Sequence, residues 1–207
     1  MDNKQYDITI HLVDVDNRMI RAWEQKFFDE GNVRIVNMDV VEFLEKNSTI
    51  DGVVSAANSF GIMTGGLDAA YIQYFGSELQ ELVQRKITEE YFGEQPVGSS
   101  IAVKIPKHPG FLLIHTPSMR TPQPIIDPRI VYSYTRTALV EAIRCGVKNL
   151  ILPAFGHLTG RVPADIVSEL MCRAYQDVFH NNTKVVRNSF GGITEIDDVL
   201  IGHFIWK

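Results

Sequence analysis

The segment from Asp51 to Ala70 constrains this chain more than any other. Gly52, Val53, Val54, Ser55 and Ala56 make an almost wholly apolar run. A run of that kind suits a strand covered by helices on both faces. Asn58 stands where the strand ends, Gly65 and Gly66 follow, and Asp68 stands where the next helix begins. Small residues at such a junction let a ligand approach the backbone, and a helix N-terminus turns its free N–H groups toward an anion.

Strand and helix patterns alternate along the rest of the chain. Ile8 to Val13 reads as a strand, and Asn17 to Phe28 as a helix with Met19, Ile20, Trp23 and Phe27 on one face. Val33 to Val36 is a second strand, and Val40 to Leu44 a short helix. Ser77-Glu78-Leu79-Gln80 has capping-box form and opens a helix running to about Ile87. Ser100 to Ile105 and Phe111 to His115 read as strands, and Thr116 to Pro128, rich in Pro and Thr, as a surface loop. A helix from about Val131 to Cys145 stops at Gly146, Asn149 to Leu152 is a buried strand, and Pro163 opens a further helix. Lys184 to Val186 reads as a late strand, and the tail from Thr194 is ambiguous. The alternation predicts one three-layer α/β/α domain with a central mixed sheet, over all 207 residues.

Composition excludes several classes. The net charge of −5 argues against an extended nucleic-acid surface, which needs clustered Lys and Arg. Cys145 and Cys172 fall within helical patterns, and the six histidines show no metal-ligand spacing. No stretch has the form of a signal peptide or a membrane span, so a reduced cytoplasmic setting is expected. No cofactor, metal or membrane partner is expected either.

A second loop, Pro153 to Pro163, follows the strand Asn149 to Leu152 and leads into a helix. Gly156, Thr159 and Gly160 make it a phosphate-cradle candidate. Neither loop is a Walker A or GxGxxG motif. In open α/β sheets ligands bind beyond the carboxyl ends of the strands, where both loops are expected.

The two loops together resemble the macro domain, the ADP-ribose-binding fold. The family's V-N-A-A-N element is similar to Val54-Ser55-Ala56-Ala57-Asn58, and its G-G-G-V-D to Gly65-Gly66-Leu67-Asp68. Its phosphate loop, P-x-x-G-T-G-x-G, is similar to Pro153-Ala154-Phe155-Gly156-His157-Leu158-Thr159-Gly160. Its early G-D-I element is similar to Met38-Asp39-Val40, and Ile114 to Pro122 resembles a piece of a phage and bacterial subgroup. The resemblance runs from about Val33 to Phe179. Ser55 replaces the motif's first Asn, two glycines stand for three, His157 replaces a hydroxyl residue and Leu158 a glycine. The extra methylenes of Leu158 would narrow the space over a pyrophosphate.

The resemblance implies that ADP-ribose, free or on an ADP-ribosylated macromolecule, is the partner. Asp39 and Val40 would sit at the adenine, with Asp39 either accepting from its amino group or only capping the helix. Asn58 would meet the terminal ribose or simply organise its turn. Gly65, Gly66 and Leu67 would follow the pyrophosphate, with Phe155, Gly156, His157, Leu158, Thr159 and Gly160 opposite. Asn58 and Asp68 are the catalytic candidates, Asp68 either activating a water near the anomeric carbon or only offsetting the helix dipole. Phe155 would cover the ligand or plug the core. His157, with no carboxylate evident beside it in sequence, reads as a solvated loop residue or an acid/base group. Arg120 and Arg161 are candidates for phosphate contact, and Asn188, Phe190 and Gly191 for the adenine border. The implied activity is binding of ADP-ribose, with hydrolysis at the terminal ribose as an ADP-ribosyl hydrolase or ADP-ribose-1″-phosphate phosphatase. The alternatives are a non-catalytic reader, or a remodelled pocket for another nucleotide.

Overall fold

A computed structural model describes residues 6–180. The element order is β1 (Thr9–Asp14), α1 (Asn17–Lys26), β2 (Val33–Asn37), α2 (Val40–Lys46), β3 (Gly52–Asn58), α3 (Gly66–Phe75), α4 (Glu78–Tyr91), β4 (Ile101–Lys104), β5 (Leu112–Met119), α5 (Ile130–Arg144), β6 (Asn149–Leu152) and α6 (Ala164–Phe179). The expected strand at Lys184 to Val186, the tail from Thr194, and Asn188, Phe190 and Gly191 lie outside the described residues.

Six strands form one sheet in the order β2-β1-β6-β3-β5-β4. Every pairing is parallel except β4 with β5, so the sheet is mixed, as expected. Successive strand residues face opposite sides. Leu12, Val54, Ile114, Leu150 and Leu152 therefore join one core with Trp23 of α1, Leu139 of α5 and Met171 of α6. Val13, Val53, Leu113 and Ile151 join the other, with Phe43 of α2, Tyr71 of α3 and Val83 of α4. The three-layer α/β/α architecture follows directly from this alternation.

Four local expectations are corrected. Thr116 to Met119 continue β5 instead of opening a loop, and Thr116 and Ser118 are buried. Pro117 is tolerated because β4 has already ended there. The Pro117 carbonyl accepts from Gly98 N–H at 3.0 Å on that side, where no ladder bond requires the missing proline N–H. The capping box at Ser77 does not form: Ser77 is helical itself (φ −62°, ψ −22°) and its hydroxyl makes no cap bond. That helix also runs on to Tyr91, while α1 stops at Lys26.

Because β1, β2, β3, β5 and β6 are mutually parallel, their carboxyl ends share one edge of the sheet. Strand β6 lies between β1 and β3. The chain thus runs outward to β2 on one side and to β5 on the other, and a crevice opens between the diverging loops.

Candidate functional site

A cavity of about 560 Å³ occupies that crevice. Val13, Asp14 and Val15 enter it from β1, Met38, Asp39 and Val40 from the β2–α2 junction, and Ala56, Ala57 and Asn58 from β3. The β3–α3 loop contributes Phe60, Ile62 and Thr64 through Asp68, and the β6–α6 loop contributes Ala154 and Gly156 through Gly160. Ser118 and Met119 close it from β5. The two loops singled out in the sequence do converge on one cavity, with Asp39 and Val40.

Asn58 builds the first loop. Its Oδ1 accepts from the N–H groups of Phe60 and Ile62, both at 3.2 Å, and its Nδ2 donates to the Ile62 carbonyl at 2.8 Å. The turn-forming role is therefore realised, and Nδ2 makes one bond within the turn. Gln80 and Gln84 of α4 hold the far side, accepting from Met63 N–H at 2.9 Å and donating to the Phe60 carbonyl at 3.2 Å. Gly65 caps α3 with no side chain, and Gly66 has φ +55°.

Asp68 lies in the first turn of α3, 7% exposed, with Ser55 beneath it. The Ser55 hydroxyl donates to Asp68 Oδ1 at 2.6 Å. Burial pushes the Asp68 carboxyl up to about 6, against the opposing effect of the Ser55 bond. Desolvation dominates because no cation is paired with the carboxylate. Tyr71 is raised as well, by its own burial and then by Asp68, and its hydroxyl donates to the Val54 carbonyl at 3.1 Å.

The second loop depends on its glycines. Gly156 has φ +74°, and its carbonyl accepts from Val162 N–H at 3.0 Å. A Cβ at Gly160 would stand 2.5 Å from the Gly156 carbonyl oxygen, so no other residue fits without moving the backbone. Ile125 N–H donates to the Gly160 carbonyl at 2.8 Å, which lays the segment before α5 against this loop.

His157 has the carboxylate partner that was not evident in sequence. Its Nε2 lies 3.1 Å from Asp16 Oδ2 and its Nδ1 3.1 Å from the Val162 carbonyl. Asp16 also caps α1, accepting from Arg18 N–H at 2.9 Å. The Arg18 guanidinium, then the Arg18 N–H and His157, hold the Asp16 carboxyl well below the usual carboxylate range. His157 thereby pins the β6–α6 loop to the β1–α1 loop.

Other candidates are placed differently. Phe155 is fully buried, packs on Tyr134 at 5.7 Å between ring centres, and does not line the cavity, so the covering role is corrected to a core role. Leu158 lines the cavity but is 68% exposed, so most of its side chain faces away from a packed interior. Asp39 caps α2 through Oδ1, accepting from Val41 and Glu42 N–H at 2.9 and 3.2 Å, and Val40 is buried behind it. Arg120 is committed to Glu94 by two bonds of 2.6 and 3.0 Å and lies 5.0 Å over the Phe60 ring. Arg161 is exposed and lines no part of the cavity. Cys145 and Cys172 are free thiols.

Among the described residues no group of three His, Cys, Asp or Glu side chains could hold a metal ion, and no helix is long and apolar enough to cross a membrane. The sequence reading missed Asp16 and the coupling of Ser55 to Asp68. Asp16 lies outside the loop motifs, and Ser55 registered only as a departure from one.

Fold and cavity together define a three-layer α/β domain with a crevice at the carboxyl ends of its parallel strands, the place where this class binds ligands. A family model described as Macro domain matches residues 54–171, more than half of the chain. The chain belongs to the macro domain family.

An uncharacterized protein of Aquifex aeolicus is 31% identical over 121 residues, covering 58% of this chain and 70% of that protein. One of Aeropyrum pernix is 30% identical over 110 residues, covering 53% of this chain and 55% of its own length. The Oceanobacillus iheyensis macrodomain solved with ADP is 20% identical, with a TM-score of 0.56 over 75% of this chain and 86% of that one. A variant of it solved with ADPR is 20% identical, with a TM-score of 0.53 over 64% and 73%. At these identities the likeness to the solved structures is one of fold.

Proposed function

We propose that this domain binds ADP-ribose or an ADP-ribosylated macromolecule in the cavity between the two glycine loops. The observation that carries this reading is the order of groups across the sheet edge. Asp39 follows β2 and Asp68 lies in the helix after β3, and those two strands stand three spacings apart, about 14 Å. The glycine loop after β6 lies between them. Asp39 Oδ2 is an acceptor left for an exocyclic amine, which suits adenine. The N–H groups of the Gly156–Gly160 loop and of the α3 start suit a pyrophosphate, and the Asp68 end suits the terminal ribose. Solved relatives of the same fold carry ADP and ADPR, which supports the ligand class.

The catalytic version is hydrolysis at the terminal ribose. A water attacks the anomeric carbon, the bond to the leaving group breaks, and Asp68 takes the water's proton. A buried carboxyl shifted up to about 6 is suited to accepting that proton. The commitment of Asn58 to its own turn favours the second version, a reader that holds ADP-ribose without cleaving it.

Calorimetric titration with ADP-ribose tests the shared part: absence of heat at about millimolar ligand would sink both versions, because it limits binding to about −4 kcal/mol or weaker. Incubation with ADP-ribosylated protein separates them. Release of ADP-ribose by the wild type but not by Asp68→Ala supports hydrolysis, and no release by either leaves the reader.

A further inference from the structure

We propose that the Asp68 end of the cavity selects its ligand by charge: it accepts an anomeric carbon bearing a hydroxyl or an uncharged or cationic linkage, and rejects a 1″-phosphate. This rests on the ADP-ribose reading above and narrows it.

The charges lining the cavity are one-sided. Among the described residues Asp14, Asp39 and Asp68 line it, and no Lys or Arg does. A pyrophosphate can be held by loop N–H groups alone. A further phosphate at the Asp68 end has no Lys or Arg of the lining to support it. The positive end of the α3 dipole already has an anion in its first turn, Asp68 itself.

Three side-chain hydroxyls of β3, α3 and β5 are also committed. Ser55 O–H goes to Asp68, Tyr71 O–H to the Val54 carbonyl, and Ser118 O–H to the Ala57 carbonyl. Asn58 spends one of its two Nδ2 hydrogens on the Ile62 carbonyl. The nearby guanidinium of Arg120 is neutralised by Glu94, outside the cavity. A dianion placed here would meet a buried carboxylate with no Lys or Arg in the lining to offset it, and like charges set together in a desolvated site repel strongly. A neutral ester, a hydroxyl or a nitrogen linkage meets no such opposition, and Asp68 Oδ2 is available to accept from a hydroxyl or an N–H.

The test is calorimetric titration of the whole protein at about pH 8, where a carboxyl with its midpoint near 6 is ionised. The two probes are ADP-ribose and ADP-ribose-1″-phosphate. The wild type is expected to bind the phosphate at least about tenfold more weakly, equivalent to about 1.4 kcal/mol. In Asp68→Asn the ratio is expected to fall below about threefold, as the repulsion is removed. Equal or tighter binding of the phosphate by the wild type overturns the inference, as does release of inorganic phosphate from it, or a ratio unchanged in a folded Asp68→Asn. The wild-type ratio decides the matter alone if that variant does not fold. Absence of heat with ADP-ribose itself overturns the ligand reading instead, so the two failures are distinct.

Discussion

The Ser55 hydroxyl donates to Asp68 Oδ1 across 2.6 Å of buried space, joining the middle of β3 to the first turn of α3. A residue that departs from the family motif thus bonds the acid. A short hydroxyl reaching a carboxylate stabilises its charged form, while burial opposes it. Burial is the larger effect, which leaves the carboxyl near 6.

Removing the donor should raise the carboxyl further. Ser55→Ala is expected to move the Asp68 midpoint up by about one unit, worth about 1.4 kcal/mol between protonation states. Carboxyl-carbon NMR titration reads this directly, and a midpoint at or below that of the wild type contradicts it. If the domain hydrolyses ADP-ribose linkages, the acid limb of the rate profile should move up with it.

Asp68 should weaken the fold at neutral pH. Its folded value lies above the ordinary 3.8, so the folded state binds more protons between 3.8 and about 6. Stability from this group is therefore full below about 3.8 and lost as pH rises through about 6. Asp68→Asn keeps an acceptor for Ser55 and removes the charge. It is expected to gain about 2–3 kcal/mol over the wild type at about pH 8 and little at about pH 4, read by urea unfolding.

Gly160→Ala brings a Cβ to 2.5 Å from the Gly156 carbonyl oxygen, a backbone atom that cannot rotate away. The loop must shift, at an expected cost of about 1–3 kcal/mol in stability. Its N–H groups then lose their aim, and ADP-ribose affinity is expected to fall at least about tenfold, the usual scale for one lost well-placed polar contact. Unchanged affinity would show that this loop does not hold the ligand.

Phe155→Ala separates core from site. The ring is fully buried against Tyr134 and lines no part of the cavity. Stability should drop by about 3–5 kcal/mol, while the protein that remains folded keeps its ADP-ribose affinity.

The link from His157 to Asp16 should behave as a unit. His157→Ala and Asp16→Ala each free the β6–α6 loop from the β1–α1 loop. The double variant is expected to bind ADP-ribose no worse than the weaker single one, because residues in one contact are not additive. Additive losses would show that the two act separately.

Much of the fold was legible from local pattern. The apolar runs of β3 and β6 announce strands covered on both faces, and the stripe of Met19, Ile20 and Trp23 announces one buried side of α1. Each depends on neighbours within a few residues. The errors arose where distant partners overrule local preference. Thr116 to Met119 look like loop by composition, yet pairing with Ala56 through Asn58 makes them strand. Ser77 has a capping neighbourhood, yet Gly76 at φ +100° brings the chain in so that Ser77 is already helical.

The same division holds at the site. The sequence by itself determined the two loops, their glycines and the acid at each end, because strand-to-helix junctions carry their chemistry in consecutive residues. Only the tertiary structure decided which side chains meet across elements. Ser55 reaches Asp68 over 13 positions, and His157 reaches Asp16 over 141. Such contacts follow from strand order, which brings β1, β6 and β3 side by side. Whether Asp68 is exposed or buried, and so how readily it holds a proton, depends on that packing and not on the identity of its neighbours in the chain.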